Sequence, residues 1–397
     1  MQISGGSRPL SSGKRLSGLD HLRALAIILV FIYHYCAFLP HPPLLARLGS
    51  FGWTGVDLFF VLSGYLVGGQ LLSRVARDQP ISYSEFYVKR FLRIIPAYLA
   101  VLLLYFTIPA FAERSALPPA WKFLTFTQNF GLDITHQGAF SHAWSLCIEE
   151  QFYLILPLFI IGLTTLKAGR QAVWLLPALF LIGLLLRLWS WYHFLEPTLQ
   201  TPEHTGFGLA YYRWIYYPTY TRLDGLLAGI TLAAFYHFRP DTWQRVTKYG
   251  NGWLTLSLLL LAGAWWVAHD EYQYSFRGAI AGYPLIALAY GVLTLAALSP
   301  SCILYRWSSP ITSWVALVSY SLYLTHKQLN HLVHIALAKY LPDDGYMLFF
   351  FCVGISCIGA WILHRTIERP FLRWRDRLYG KKKTPAKNNV QAALKSQ

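Results

Sequence analysis

Apolar residues arrive in long blocks in this chain, among them LRALAIILVFIYHYCAF, LAVLLLYFTIPAFA and WLTLSLLLLAGAWWVA. About 20 residues of helix cross the roughly 30 Å hydrocarbon core of a bilayer. In lipid every backbone N–H and C=O must find its partner inside the segment, so each block is a helix. Only 13% of the 397 residues are charged, against about a quarter in a soluble domain, which is too few to cover a water-facing surface. Trp and Tyr at the block ends, as in GWTG and YYRWIYYP, suit the membrane–water interface. The chain therefore reads as an all-α integral membrane protein, a bundle of about ten transmembrane helices.

The spans fall near residues 20–40, 51–73, 94–112, 143–166, 172–195, 213–236, 250–269, 278–298, 313–337 and 346–365. They make one membrane domain over 19–372, between a basic N-terminus at 1–18 and a basic, disordered tail at 373–397. The first block has no small-residue cleavage site after it and is expected to stay as an anchor. Arg and Lys concentrate in one alternate set of loops and both termini, which places both termini in the cytoplasm. Topology thus accounts for most of the net charge of +16, and no nucleic-acid partner is expected. The five cysteines lie in or beside apolar runs with no metal-ligand spacing, so inert thiols and no metal are expected.

Ionisable residues inside the spans cost several kcal/mol each and mark sites by default. Arg23 and His34 stand 11 residues apart on the first span, about 20° apart around the helix and about 16 Å along it. With Asp20 one turn earlier they form a polar stripe into the membrane. His34, Asp57 and Glu149 each lie about six residues from the same membrane face, so they are expected in one layer, with Arg187 and Arg222 at similar depth. His34 is the best candidate for proton transfer, because imidazole titrates near neutrality and a carboxylate neighbour would orient it. Asp224, His326 and Lys327 add to the buried set. At the cytoplasmic surface, YSEFYVKRFLRIIPAYL presents Lys89, Arg90 and Arg93. Arg90 and Arg93 are helix neighbours that suit phosphates or lipid headgroups alike. G-x-S-x-G is absent, as are HExxH, a P-loop and a dinucleotide fingerprint.

Several segments resemble one family. RLSGLDHLRALAIILVFIYHY is similar to the opening of membrane acyltransferase family 3, the group that includes O-antigen and other polysaccharide O-acetyltransferases, and carries its R-x10-H motif as Arg23 and His34. GVDLFFVLSGYL, with Asp57, Ser63 and Gly64, resembles its second-span motif, and KRFLRIIPAY its R-x-x-R segment. HAWSLCIEEQFYLILPL resembles its W-S-L-x-x-E-x-x-F-Y motif, with Trp144, Ser145, Glu149 and Tyr153. TRLDGLLAGI (Arg222, Asp224), SYSLYLTHKQL (His326) and ERPF match more weakly.

The resemblance implies about ten spans and transfer of an acyl group, acetyl by default, from cytoplasmic acyl-CoA (acetyl-CoA) to a hydroxyl. The acceptor would be a cell-surface carbohydrate or glycolipid, and the place a bacterial cytoplasmic membrane. It implies catalytic roles for His34, Arg23, Asp57 and Glu149, and coenzyme contacts from Lys89, Arg90 and Arg93. Asp20, Ser63, Trp144, Tyr153, Arg222, Asp224 and His326 would support the substrates. Membrane lipid is the other partner expected. Some family members carry an appended extracytoplasmic esterase-like domain, which is not expected here. The buried charges alone fit a transporter of a small solute almost as well. Thioester consumption and the arginine pair at the cytoplasmic mouth separate the two readings.

Overall fold

A computed structural model describes residues 16–114, 116–166, 174–201, 206–269, 274–341 and 345–380. The described residues hold helices and no strand. The longer helices are α1 (Ser17–Phe38), α2 (Gly55–Ser63, continuing through a wider turn at Gly64–Gly68 into Gly69–Val75), α3 (Tyr83–Thr107) and α4 (Trp144–Thr165). They are followed by α5 (Leu175–Ser190), α6 (Asp224–Phe238), α7 (Gly250–Ala268), α8 (Tyr283–Leu298), α9 (Pro310–Leu337), α10 (Tyr346–Leu363) and α11 (Arg369–Tyr379).

Eight stretches among the described residues are long and apolar enough to cross a membrane, and they contain α1 to α5, α7, α8 and α10. With them the protein is an all-α integral membrane protein. The two other expected spans coincide with helices of a different kind. α6 has 15 residues and is short for a span, whereas α9 has 28 and is polar through its middle. The tail expected from 373 starts as helix, because α11 runs to Tyr379; residues 381–397 and the basic N-terminus lie outside the described residues.

The helix ends follow ordinary chemistry. Ser82 caps α3 by accepting the Glu85 N–H at 3.3 Å, which satisfies one orphan donor of the first turn. Ser309 does the same for Thr312 at 3.4 Å, and Pro310 sits at the first helical position, where its missing N–H costs nothing.

α1 packs between α2 and α9, and α6 packs on α2 and α8, so these five form the centre. The stretches holding α5, α7 and α10 are the least buried. They present Leu181, Leu185, Leu258, Leu259, Trp266, Phe350 and Ile358 outward, an apolar face suited to lipid. The α2–α6 crossing is close enough to require glycine. A Cβ on Gly64 would lie 2.2 Å from the Leu226 carbonyl oxygen, and one on Gly229 2.2 Å from that of Val61. Gly229→Val is therefore expected to destabilise by about 1–3 kcal/mol or more. Gly252→Val, where a Cβ would meet open space, is the control. Thermal unfolding in detergent, with the Gly229 variant melting earlier than both wild type and control, checks this.

Candidate active site

α1 and α9 run side by side in the same direction. At one end Thr312 Oγ1 lies 2.8 Å from His21 Nδ1. Deeper in, His34 Nδ1 lies 2.8 Å from His326 Nε2. The protons on this second contact can be assigned. His326 Nδ1 sits 3.0 Å from the Leu322 carbonyl oxygen and 2.9 Å from that of Tyr323. A carbonyl only accepts, so Nδ1 of His326 carries the hydrogen. In the neutral ring its Nε2 is then a lone pair, and His34 Nδ1 must donate to it. This leaves His34 Nε2 with the free lone pair, the form a proton acceptor needs.

His142 completes a cluster of three imidazoles, with ring centroids 5.3 Å from His326 and 6.0 Å from His34. It follows Phe140, whose φ of 54° is strained for a bulky residue. The surroundings hold that strain. The Phe140 ring stacks on Tyr98 and Phe123, and its N–H donates to Glu113 Oε1 at 3.2 Å.

Glu113 is the organising carboxylate here. It accepts from Tyr105 Oη at 2.7 Å and pairs with Lys327 Nζ at 2.8 Å, both partners of that ion pair being buried. Glu113 and Lys327 line a cavity with His34, Phe38, Asn330 and His334. Glu113 was invisible in the sequence, since FAERSA reads as an ordinary loop. Lys327 stood among the buried ionisable residues but was not assigned to the site. The one available signal for both was the unusual polarity of α9.

At the other end of the α1 stripe stands a second cluster. Arg23 lies 4.0 Å from Asp20, which also accepts from Ser313. Arg23 is within electrostatic reach of Arg90, Arg93 and Tyr153. Tyr153 donates to Glu149 at 2.7 Å, beside Ser63. Lys89 pairs with Glu85. Between the clusters, Tyr323 lies 2.6 Å, Oη to Oγ, from Ser145, one turn before Glu149, and its ring packs near His142 and His326.

The layer expected around His34 is thus rearranged. Asp57 does not orient His34; Arg222 Nη2 donates to both its oxygens, at 2.9 and 3.0 Å. Glu149 belongs with Tyr153 and the arginines. Asp224 pairs with Arg187, which also donates to the Thr221 carbonyl at 2.8 Å. The Arg222 guanidinium is fully buried and faces the rings of Tyr283, Tyr216 and Trp144, 4.1, 4.8 and 5.2 Å from their centroids. Cation–π contacts of this kind offset part of its desolvation.

A membrane-embedded imidazole with an assigned tautomer, on one helix with an arginine near an arginine pair of α3, defines an integral membrane protein with an intramembrane site. The chain belongs to acyltransferase family 3: residues 16–365 match its acyltransferase domain. It is 30% identical over 389 residues to the O-acetyltransferase OatA of Staphylococcus aureus strain NCTC 8325 / PS 47, covering 90% of this chain and 57% of OatA. It is 26% identical over 389 residues to a protein of S. aureus strain COL named as an O-acetyltransferase, covering 91% of this chain and 59% of that protein. The chain therefore spans less than two thirds of the length of the curated relatives it matches. No solved structure matches it.

Proposed function

We propose that the protein is a membrane O-acyltransferase that moves an acyl group, acetyl by default, from cytoplasmic acyl-CoA to a hydroxyl of a cell-surface carbohydrate or glycolipid. The observation that carries this reading is the α1 stripe, with Arg23 near the arginine cluster at one end and a tautomer-assigned His34 at the other. The names of the relatives support transfer of acetyl to oxygen. Lys89, Arg90 and Arg93 hold the coenzyme phosphates, and the thioester arm follows the stripe inward. The acceptor hydroxyl attacks the thioester carbonyl; a C–O bond forms and the C–S bond breaks. His34 Nε2 takes the hydroxyl proton and passes it to the departing thiolate. The polar cavity lined by Glu113, Lys327, Asn330 and His334 suits a polyhydroxyl acceptor. The charge-based orientation supports an outer-side position for this cavity, and a bacterial cytoplasmic membrane is the location that goes with this reading.

The test is the purified protein in liposomes with acetyl-CoA on the cytoplasmic side. Acceptor-dependent release of the coenzyme thiol is expected. Movement of a solute with acetyl-CoA intact would replace this reading with a transporter.

His326 is a positioning residue in this scheme. His326→Ala removes the acceptor for His34 Nδ1–H, and turnover should fall roughly 10- to 100-fold, as when an imidazole loses the group that fixes its tautomer. His326→Gln keeps an acceptor oxygen and should recover part of the loss. A split in which kcat falls while the donor KM holds distinguishes positioning from a packing defect.

A further inference from the structure

α11 lies beyond the residues that match the family domain. Arg375 is half-buried there between exposed neighbours. The helix packs against α3, and together with the end of α2 the two enclose a cavity at the Arg23 end of the bundle. Arg74, Lys89, Arg90, Arg375 and Tyr379 line it.

The charges in this cavity are unbalanced. Four cations face two carboxylates, Glu85 and Asp376. Glu85 serves both Lys89 and Arg74. Asp376 is spent on its neighbour, accepting from Arg375 Nε and Nη2 at 2.9 and 2.7 Å, which fixes the direction of that guanidinium. Arg90 has no ion pair among the described residues, and its buried Nε has no hydrogen-bond partner. Arg375 and Arg90 line the same cavity, so two like charges share it. The Lys89 ammonium stands 5.5 Å from the centre of the Tyr379 ring, holding the end of α11 against α3. Two guanidiniums lining one cavity, one of them with an unused donor, are the arrangement a bridging dianion relieves.

We propose that α11 is the third wall of the donor site, and that Arg375 and Arg90 together clamp a diphosphate, with Tyr379 holding the helix in place. The inference rests on the acyl-CoA reading above and extends the site to residues outside the family's matched domain. The shared chemistry is phosphate, which either coenzyme A or an anionic lipid headgroup supplies; coenzyme A is the ligand assigned.

The experiment uses the full chain in nanodiscs of zwitterionic lipid and measures binding of radiolabelled coenzyme A. Arg375→Gln and Arg90→Gln are each expected to weaken binding roughly ten- to hundredfold, the loss of a charge-assisted hydrogen bond. Arg375→Lys keeps the charge and should lie between, at a melting temperature equal to wild type. Competition by acetyl-pantetheine, which lacks the diphosphate, should be unchanged by Arg375→Gln. Weakening by Arg90→Gln alone overturns the role of α11 and leaves the acyl-CoA reading standing. Full binding by both variants overturns the donor site itself. An Arg375→Gln effect that appears only when phosphatidylglycerol is added, with coenzyme A binding unaltered, assigns the clamp to lipid and overturns the proposal.

Discussion

Alanine at position 34 is expected to lower acyl transfer by roughly 10²–10⁴-fold, the contribution of a positioned general base. The ring sits half-buried near the end of α1 and its recorded hydrogen bond is the one to His326, so its removal leaves the helix packing in place. Expression, detergent behaviour and coenzyme A binding should match wild type. His34→Gln is the stricter variant. An amide fills much of the same space and can still donate to His326 Nε2, but it cannot take up a proton at neutral pH. Both variants should be equally inactive in the liposome assay while both fold. Retained turnover in either removes His34 from the chemistry.

The second large effect concerns stability. Arg222 and Asp57 are both buried and pair across α2 and the start of α6, through Nη2 alone, while Nε and Nη1 of Arg222 have no hydrogen-bond partner. Asp57→Leu leaves an uncompensated guanidinium among aromatic rings and should cost about 3–5 kcal/mol. Arg222→Met alone leaves a buried carboxylate and should cost a similar amount. Asp57→Leu with Arg222→Met removes both charges together and should restore much of the loss, since well-packed apolar replacements of buried pairs are often near neutral. The thermal unfolding midpoints of the four chains form a double-mutant cycle. Additive losses would mean that the pair is not coupled. Activity in the double variant distinguishes a structural pair from one the substrate touches.

The sequence made the membrane class legible because hydrocarbon thickness and backbone hydrogen bonding leave few alternatives. It also made the α1 stripe legible, because Arg23 and His34 share one helix and helical geometry is fixed. The partners of His34 were harder. Counting residues from a membrane face gives the height of Asp57 or Glu149 and says nothing about the direction each faces. Direction depends on which helices are neighbours, and α9, from which His326 comes 292 residues later in the chain, is set beside α1 by packing that no local pattern encodes. Glu113 was hidden for a related reason. A carboxylate in a loop costs nothing to explain until the loop folds back over Lys327. The arginines of KRFLR stood out from spacing alone, but their opposite wall did not, because α11 read as the beginning of a tail.

α9 carries Thr325, His326, Lys327, Gln328 and Asn330 buried in its middle. Such a sequence has little reason to leave water for lipid on its own; a single lysine at a helix centre costs about 2.5–3.5 kcal/mol on the insertion scale. Its hosts are α1 and α10, which pack along it, and one is made long before it while the other follows directly behind. The order of manufacture therefore becomes part of the fold. α1 has to remain near the insertion machinery until α9 emerges, and a ribosome that stops before α10 leaves the helix carrying His326 without a place to go.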